Sequence, residues 1–129
     1  MKNAYIVIQE YENSNPDPIQ LNIGDVVTLG EKSSDDGAWA NWIYCVSHKT
    51  GKSGWTPVQA LQINESVGIA TKDYHAKELT VSIGDIMIGD YELNGWIWCL
   101  REKDGESGWV PKDCLNPIYI KDSFNYVIH

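Results

Sequence analysis

Short apolar runs with a period of two recur along the whole chain, and no stretch carries the 3.6-residue period of an amphipathic helix. Residues 4–8, Ala-Tyr-Ile-Val-Ile, are aromatic and β-branched and predict a strand. Residues 12–18 hold Pro16 and Pro18 among Asn, Ser and Asp, which predicts a long turn opened by Tyr11. Ile19, Leu21 and Ile23 alternate with Gln20 and Asn22 as a half-buried strand entry. Gly24-Asp25 then turns the chain into a strand over residues 26–29. Residues 30–41 form a loop centred on Ser-Ser-Asp-Asp-Gly, residues 42–46 a strand, and residues 48–51 a hairpin turn. Residues 54–56 return, and Pro57 opens a short helical turn that ends near Leu61.

The same order follows a second time. Residues 67–71 predict a strand, Tyr74 opens a loop, and Leu79, Val81 and Ile83 alternate. Gly84-Asp85 turns into a strand over residues 86–88, and Asn94-Gly95 and Asp104-Gly105 are hairpin dipeptides. The strictest part of the repeat reads W-I-[YW]-C-[VL]-x4-G-x-S-G-W-x-P-x3-L from Trp42 to Leu61 and from Trp96 to Leu115, at a constant offset of 54 positions. Self-similarity at a fixed period fixes the architecture before any single motif does. The Gly-Asp turns stand 60 positions apart, so the first copy carries about six extra residues in the loop before Trp42, where a barrel tolerates insertion. Five short strands per half predict an all-β chain of two small barrels in tandem, packed closely: residues 1–63 and residues 64–129. The link near residues 64–68 is too short to let the halves separate, and residues 116–129 read as a C-terminal extension outside the repeat.

Composition narrows the function. At 22% charged and 43% hydrophobic residues the chain is that of an ordinary folded domain. The net charge of −8 is spread over both halves and leaves no basic stripe, which argues against nucleic acid and against an anionic membrane surface as partners. A basic partner would be steered in instead. No apolar leader precedes the first strand and no run approaches the length of a membrane span, so the expected location is cytoplasmic. Three cysteines fit reduced, packed thiols. His48, His75 and His129 do not combine with Cys45, Cys99 and Cys114 in any metal-ligand spacing, and no phosphate loop or nucleophile-base motif is present. The expectation is therefore no cofactor, no metal and no enzyme.

The residues now in view resemble Src-homology-3 (SH3) domains, closest to the variant forms seen in bacteria. The second copy carries the resemblance in Ala70-Thr71-Lys72-Asp73-Tyr74, Glu78-Leu79-Thr80-Val81, Gly84-Asp85, Gly95-Trp96 and Gly108-Trp109-Val110-Pro111. The first carries it in Ile8-Gln9-Glu10-Tyr11, Gly24-Asp25, Trp42, Gly54-Trp55-Thr56-Pro57 and Ala60-Leu61. Such domains grip an extended, proline-containing peptide in a shallow aromatic groove, because a preformed polyproline helix loses little entropy on binding. The resemblance implies a peptide-binding surface of Tyr11, Trp42 and Pro57 in the first copy and of Tyr74, Trp96 and Pro111 in the second. Asp17, Asp35 and Asp36 would select a lysine or arginine on the ligand. Two further rings of the family groove are missing from each copy, at Gln9 and Lys72 and at Ala60 and Cys114, so each groove is weakened. Trp55 and Trp109 follow a glycine on the return strand and are expected to pack, and Trp39 lies in the longer loop.

Three functions follow in order of support. The first is a non-catalytic interaction module for a partner protein or an extended peptide, basic or proline-containing. The second is a structural or assembly protein whose aromatic surfaces pack the repeats or a homodimer. The third is cell-wall recognition, against which the absent leader argues. The partner, the active copy and the oligomeric state are not written in the residues.

Overall fold

A computed structural model describes residues 3–34 and 40–118 of the chain. Twelve strands follow in order among them: β1 (Asn3–Val7), β2 (Gln20–Leu21), β3 (Val26–Lys32), β4 (Trp42–Ser47), β5 (Ser53–Pro57), β6 (Leu61–Asn64), β7 (Val67–Ala70), β8 (Tyr74–His75), β9 (Ile86–Leu93), β10 (Trp96–Arg101), β11 (Ser107–Pro111) and β12 (Leu115–Ile118). Single 3-10 turns, Val58–Ala60 and Lys112–Cys114, follow the two repeat prolines. The alternation read from the sequence locates nearly every strand. Several boundaries move: β3 runs on to Lys32 and β9 to Leu93, β6 and β8 form where a link and a loop are expected, and Asn116, Pro117 and Ile118 belong to β12 rather than to an extension; residues 119–129 lie outside the described residues.

The pairing of these strands does not follow the repeat. One five-stranded sheet runs β11-β10-β9-β1-β12, the other β5-β4-β3-β7-β6. The first strand of the first copy, β1, thus pairs with β9 and β12 of the second. The first strand of the second copy, β7, pairs with β3 and β6 of the first. Two compact units result: unit 1 is Met1–Asn13 with Glu78–His129, and unit 2 is Ser14–Lys77. Unit 2 is one continuous stretch whose barrel order is permuted. Unit 1 keeps the ordinary order, with unit 2 inserted between Asn13 and Glu78.

The cause lies in the link between the copies. Asn64 pairs directly with Val67, so only Glu65 and Ser66 join β6 to β7. Two residues bridge little more than the ~4.8 Å between antiparallel neighbours, and therefore β7 must lie beside β6. Glu65 takes a left-handed φ of +58°, a conformation disfavoured for a residue with a Cβ, to make this turn. The place next to β12 is then left for β1, which fills it in the register Ala4↔Ile118 to Val7↔Leu115.

The exchange is completed at the long loops. In unit 1 the segment after β1 pairs with the segment before β9 through reciprocal amide bonds between Tyr11 and Val81, at 3.1 and 2.9 Å. In unit 2 the matching pair is β2 with β8, Leu21 opposite Tyr74. Each of these arms crosses its barrel over a repeat glycine. A Cβ on Gly108 would stand 3.1 Å from the Glu78 carbonyl carbon and the Leu79 amide, and one on Gly54 would stand 3.0 Å from Ile19 Cγ2. That close approach explains why Gly-Trp recurs in both copies.

The two interiors use equivalent positions. Unit 1 buries Val7, Leu79, Val81, Met87, Ile97, Cys99, Val110, Cys114 and Leu115 as one cluster. Unit 2 buries Ile19, Leu21, Val27, Ile43, Cys45, Ala60, Leu61 and Ala70. One substitution stands out: Thr56 occupies the place that Val110 holds in the other copy. It is fully buried, and its hydroxyl makes no hydrogen bond of acceptable geometry. Burial pushes the neighbouring Cys45 thiol up, and the Thr56 hydroxyl beside it only partly offsets this.

Thr56→Val removes an unsatisfied buried hydroxyl at nearly constant volume and should stabilise unit 2 by about 1 kcal/mol, read as a higher urea midpoint at unchanged slope. The exchanged pairing makes a second prediction. A fragment of residues 14–77 should fold cooperatively by itself, whereas a fragment of residues 1–63 should show no dispersed amide spectrum, since it lacks β7 and leaves β1 unpaired.

Candidate functional site

Alternation along β10 sends Ile97 and Cys99 to the core of unit 1, so Trp96 and Trp98 face the other way. Trp96 begins the strand directly opposite Pro111, the last residue of β11. The Tyr11 arm crosses to this corner: the Tyr11 and Trp96 rings meet edge-on, with centroids 5.5 Å apart and planes at 87°. This is a favoured geometry for two quadrupolar rings. Both residues are half-buried. The Tyr11 hydroxyl donates to Glu78 Oε1 at 2.7 Å, a charge-assisted bond that fixes a carboxylate at the rim of the rings. Glu10 and Glu12, on either side of Tyr11, are exposed. The corner therefore offers two flat apolar surfaces beside negative charge.

The matching corner of unit 2 is turned inward. Trp42 pairs with Pro57 at the start of β4, as Trp96 does with Pro111. Yet Trp42 is only 6% exposed, its amide held by Ser33 Oγ at 2.9 Å, whereas Trp96 is half-buried; Pro57 and Pro111 are buried alike. Tyr74 is buried as well, and its hydroxyl donates to the Trp55 carbonyl at 3.0 Å rather than to a carboxylate. The same residue types thus make an open corner in one unit and a closed one in the other.

The groupings differ from those expected. The sequence reading joins Tyr11 with Trp42 and Pro57, and Tyr74 with Trp96 and Pro111. The structure puts Tyr11 in unit 1 with Trp96 and Pro111, and Tyr74 in unit 2 with Trp42 and Pro57. The arm exchange is the reason, because each tyrosine precedes the crossover and each tryptophan follows it. Asp17 is in unit 2, where it pairs with Lys52 at 2.9 Å. Lys52 adjoins Ser53, at the far end of the β4–β5 ladder from Trp42, so Asp17 does not flank that ring. Asp35, Asp36 and Trp39 lie outside the described residues.

The sequence reading places Glu78 in the Glu78-Leu79-Thr80-Val81 motif but gives it no site role. Its signal was its place in the Glu-Leu-x-Val arm, whose pairing with the Tyr11 arm needs the tertiary fold. It also treated Trp55 and Trp109 alike. Trp109 is 3% exposed, with the edges of Trp98 and Tyr91 against it at 5.3 and 5.4 Å. Trp55 has Tyr44 at 5.4 Å and stays 40% exposed. Glu31 stands where the repeat offset places Tyr91, so β3 supplies no ring there.

The cysteines are buried and unbridged. Burial raises all three thiols, Cys99 to about 12, so none is a ready thiolate near neutral pH.

The sequence profile of the variant SH3 domain family matches residues 4–64 and 67–118. Among curated proteins, human guanine nucleotide exchange factor DBS is 36% identical over 59 residues, which cover 46% of this chain and 5% of that protein. Human Rho guanine nucleotide exchange factor 16 is 28% identical over 111 residues, 78% of this chain and 15% of that protein. The chain therefore spans a small part of the length of either relative. Both are human, whereas the resemblance read from the residues leaned toward bacterial forms. No solved structure matches. Two consecutive matches across nearly all of the described residues, on two all-β units with the SH3 strand order, establish that the chain belongs to the variant SH3 domain family.

Proposed function

We propose that the chain is a non-catalytic recruitment module whose ligand face is the corner of unit 1 formed by Tyr11 and Trp96, the latter opposite the buried Pro111, with Glu78 as its charge selector. The observation that carries this reading is the half-buried, edge-on Tyr11–Trp96 pair with a carboxylate anchored at its rim. Flat rings suit the ridges of an extended, proline-containing segment, and the anchored carboxylate suits a lysine or arginine beside it. The acidic net charge steers such a ligand in. Affinity is modest, because Cys114 lies in the core where the family groove has another ring. Likeness to short stretches of two human exchange factors supports a recruiting role within larger assemblies.

The test is a titration of the full chain with a proline-containing peptide that bears one arginine, followed by amide shifts. Trp96→Ala should weaken binding at least tenfold, as removal of a central aromatic anchor does. Glu78→Gln should weaken it about threefold and flatten its dependence on salt, since the lost partner is a rim charge. Unchanged affinity in Trp96→Ala would remove this face from consideration.

A second reading, an assembly role, is favoured for unit 2 alone. Trp42 and Tyr74 are buried there, so their rings contribute packing and leave little area for a ligand. Acrylamide quenching separates the two roles. Trp55→Phe should reduce the strongly quenched fraction, while Trp42→Phe and Trp109→Phe should leave it unchanged. A large loss of quenching in Trp42→Phe would return unit 2 to the list of binding faces.

A further inference from the structure

We propose that unit 2 is a clasp on the ligand corner of unit 1: its folding brings the two arms of that corner together and so sets the affinity of unit 1 for its ligand. The proposal rests on the peptide-binding reading above for its ligand and on chain connectivity for its mechanism.

The corner is built from both sides of the insertion. Tyr11 lies just before the chain leaves unit 1, and Glu78 is the residue at which it returns. The two are 67 positions apart in sequence but 2.7 Å apart in space. The same holds for the Asn13 amide, which donates to Thr80 Oγ1 at 2.9 Å, and for the Tyr11–Val81 bridge. Everything between these contacts is unit 2. When unit 2 is folded, its own ends are already joined: the Ala76 amide donates to the Ile19 carbonyl at 3.0 Å, and Gln20 pairs with His75. The free chain that unit 1 must close then falls to about eight residues, 14–18 and 77–79.

Unfolding of unit 2 lengthens that loop from about eight residues to about 67. Loop closure scales as the three-halves power of length, so the arm pair opens on the order of 20-fold more readily. An open arm pair separates Tyr11 from Glu78 and leaves Trp96 without its edge partner. Ligand affinity falls with the closed fraction, by up to the same factor where the open pair comes to predominate. By reciprocity, a ligand that holds Tyr11 and Glu78 together stabilises unit 2 equally, although it touches only unit 1 residues. Nothing in this coupling needs a change of shape in either barrel.

The experiment uses the full chain carrying Val27→Asp, which places a charge in the core of unit 2 at a fully buried position. Amide exchange is followed residue by residue. With the unit 2 amides unprotected, the Tyr11 and Val81 amides should exchange about 20-fold faster while those of β10 and β11 keep their protection. Affinity for the arginine-bearing proline peptide should drop in parallel. Wild-type protection at Tyr11 and Val81 with unit 2 unfolded would overturn the clasp. An arm pair left mostly open, with unchanged peptide affinity, would uphold the closure of the arms by unit 2 and refute the ligand corner. If Val27→Asp unfolds both units, Val27→Ala in rising urea decides. Loss of Tyr11 and Val81 protection together with the unit 2 amides supports the clasp, and loss together with β10 and β11 overturns it.

Discussion

Two residues, Glu65 and Ser66, decide how this chain is folded. They form the whole link between the last strand of the first repeat and the first strand of the second, and a link of that length permits only an antiparallel neighbour. Every larger feature follows from it. Once β7 is committed to β6, β1 is the strand left to complete the other sheet, and both long loops become crossovers instead of closed loops. The left-handed φ at Glu65 is the local cost of this arrangement, and two complete five-stranded sheets offset it.

The repeat is close in sequence and unequal in use. Equivalent positions fill both cores, and equivalent glycines let an arm cross each barrel. The differences sit where rings meet polar groups. Tyr11 reaches a carboxylate and stays half-exposed; Tyr74 reaches a backbone carbonyl and is buried. Trp109 has two rings against it, whereas Trp55 meets one ring among the described residues and remains 40% exposed. Single differences at such positions change how exposed the rings are while the spatial strand plan stays the same.

Unit 1 also shows what insertion does to a recognition loop. In an uninterrupted barrel the arms of that loop are held by a short tip. Here the segment between the arms is an entire folded unit, residues 14–77. Tyr11 and Glu78 meet across that insertion at 2.7 Å.

The sequence by itself determined the local plan: strand positions from period-two alternation, hairpins at Asn94-Gly95 and Asp104-Gly105, the turns after Pro57 and Pro111, and an SH3 kinship carried by the ordered Gly-Asp, Trp and Gly-Trp-x-Pro motifs. These are legible because side-chain periodicity and turn chemistry act over a few residues. It also singled out Tyr11, Trp42, Tyr74 and Trp96, but grouped them by repeat. Only the tertiary structure decided which strand pairs with which, and hence that Tyr11 joins Trp96 and Glu78. Two slots of one strand plan were open to β1 and β7, and they differ in fit: Tyr5 lies against Gly89, whereas Leu29 lies against Gly68. That fit and the reach of the two-residue link are three-dimensional relations that no residue-by-residue pattern encodes.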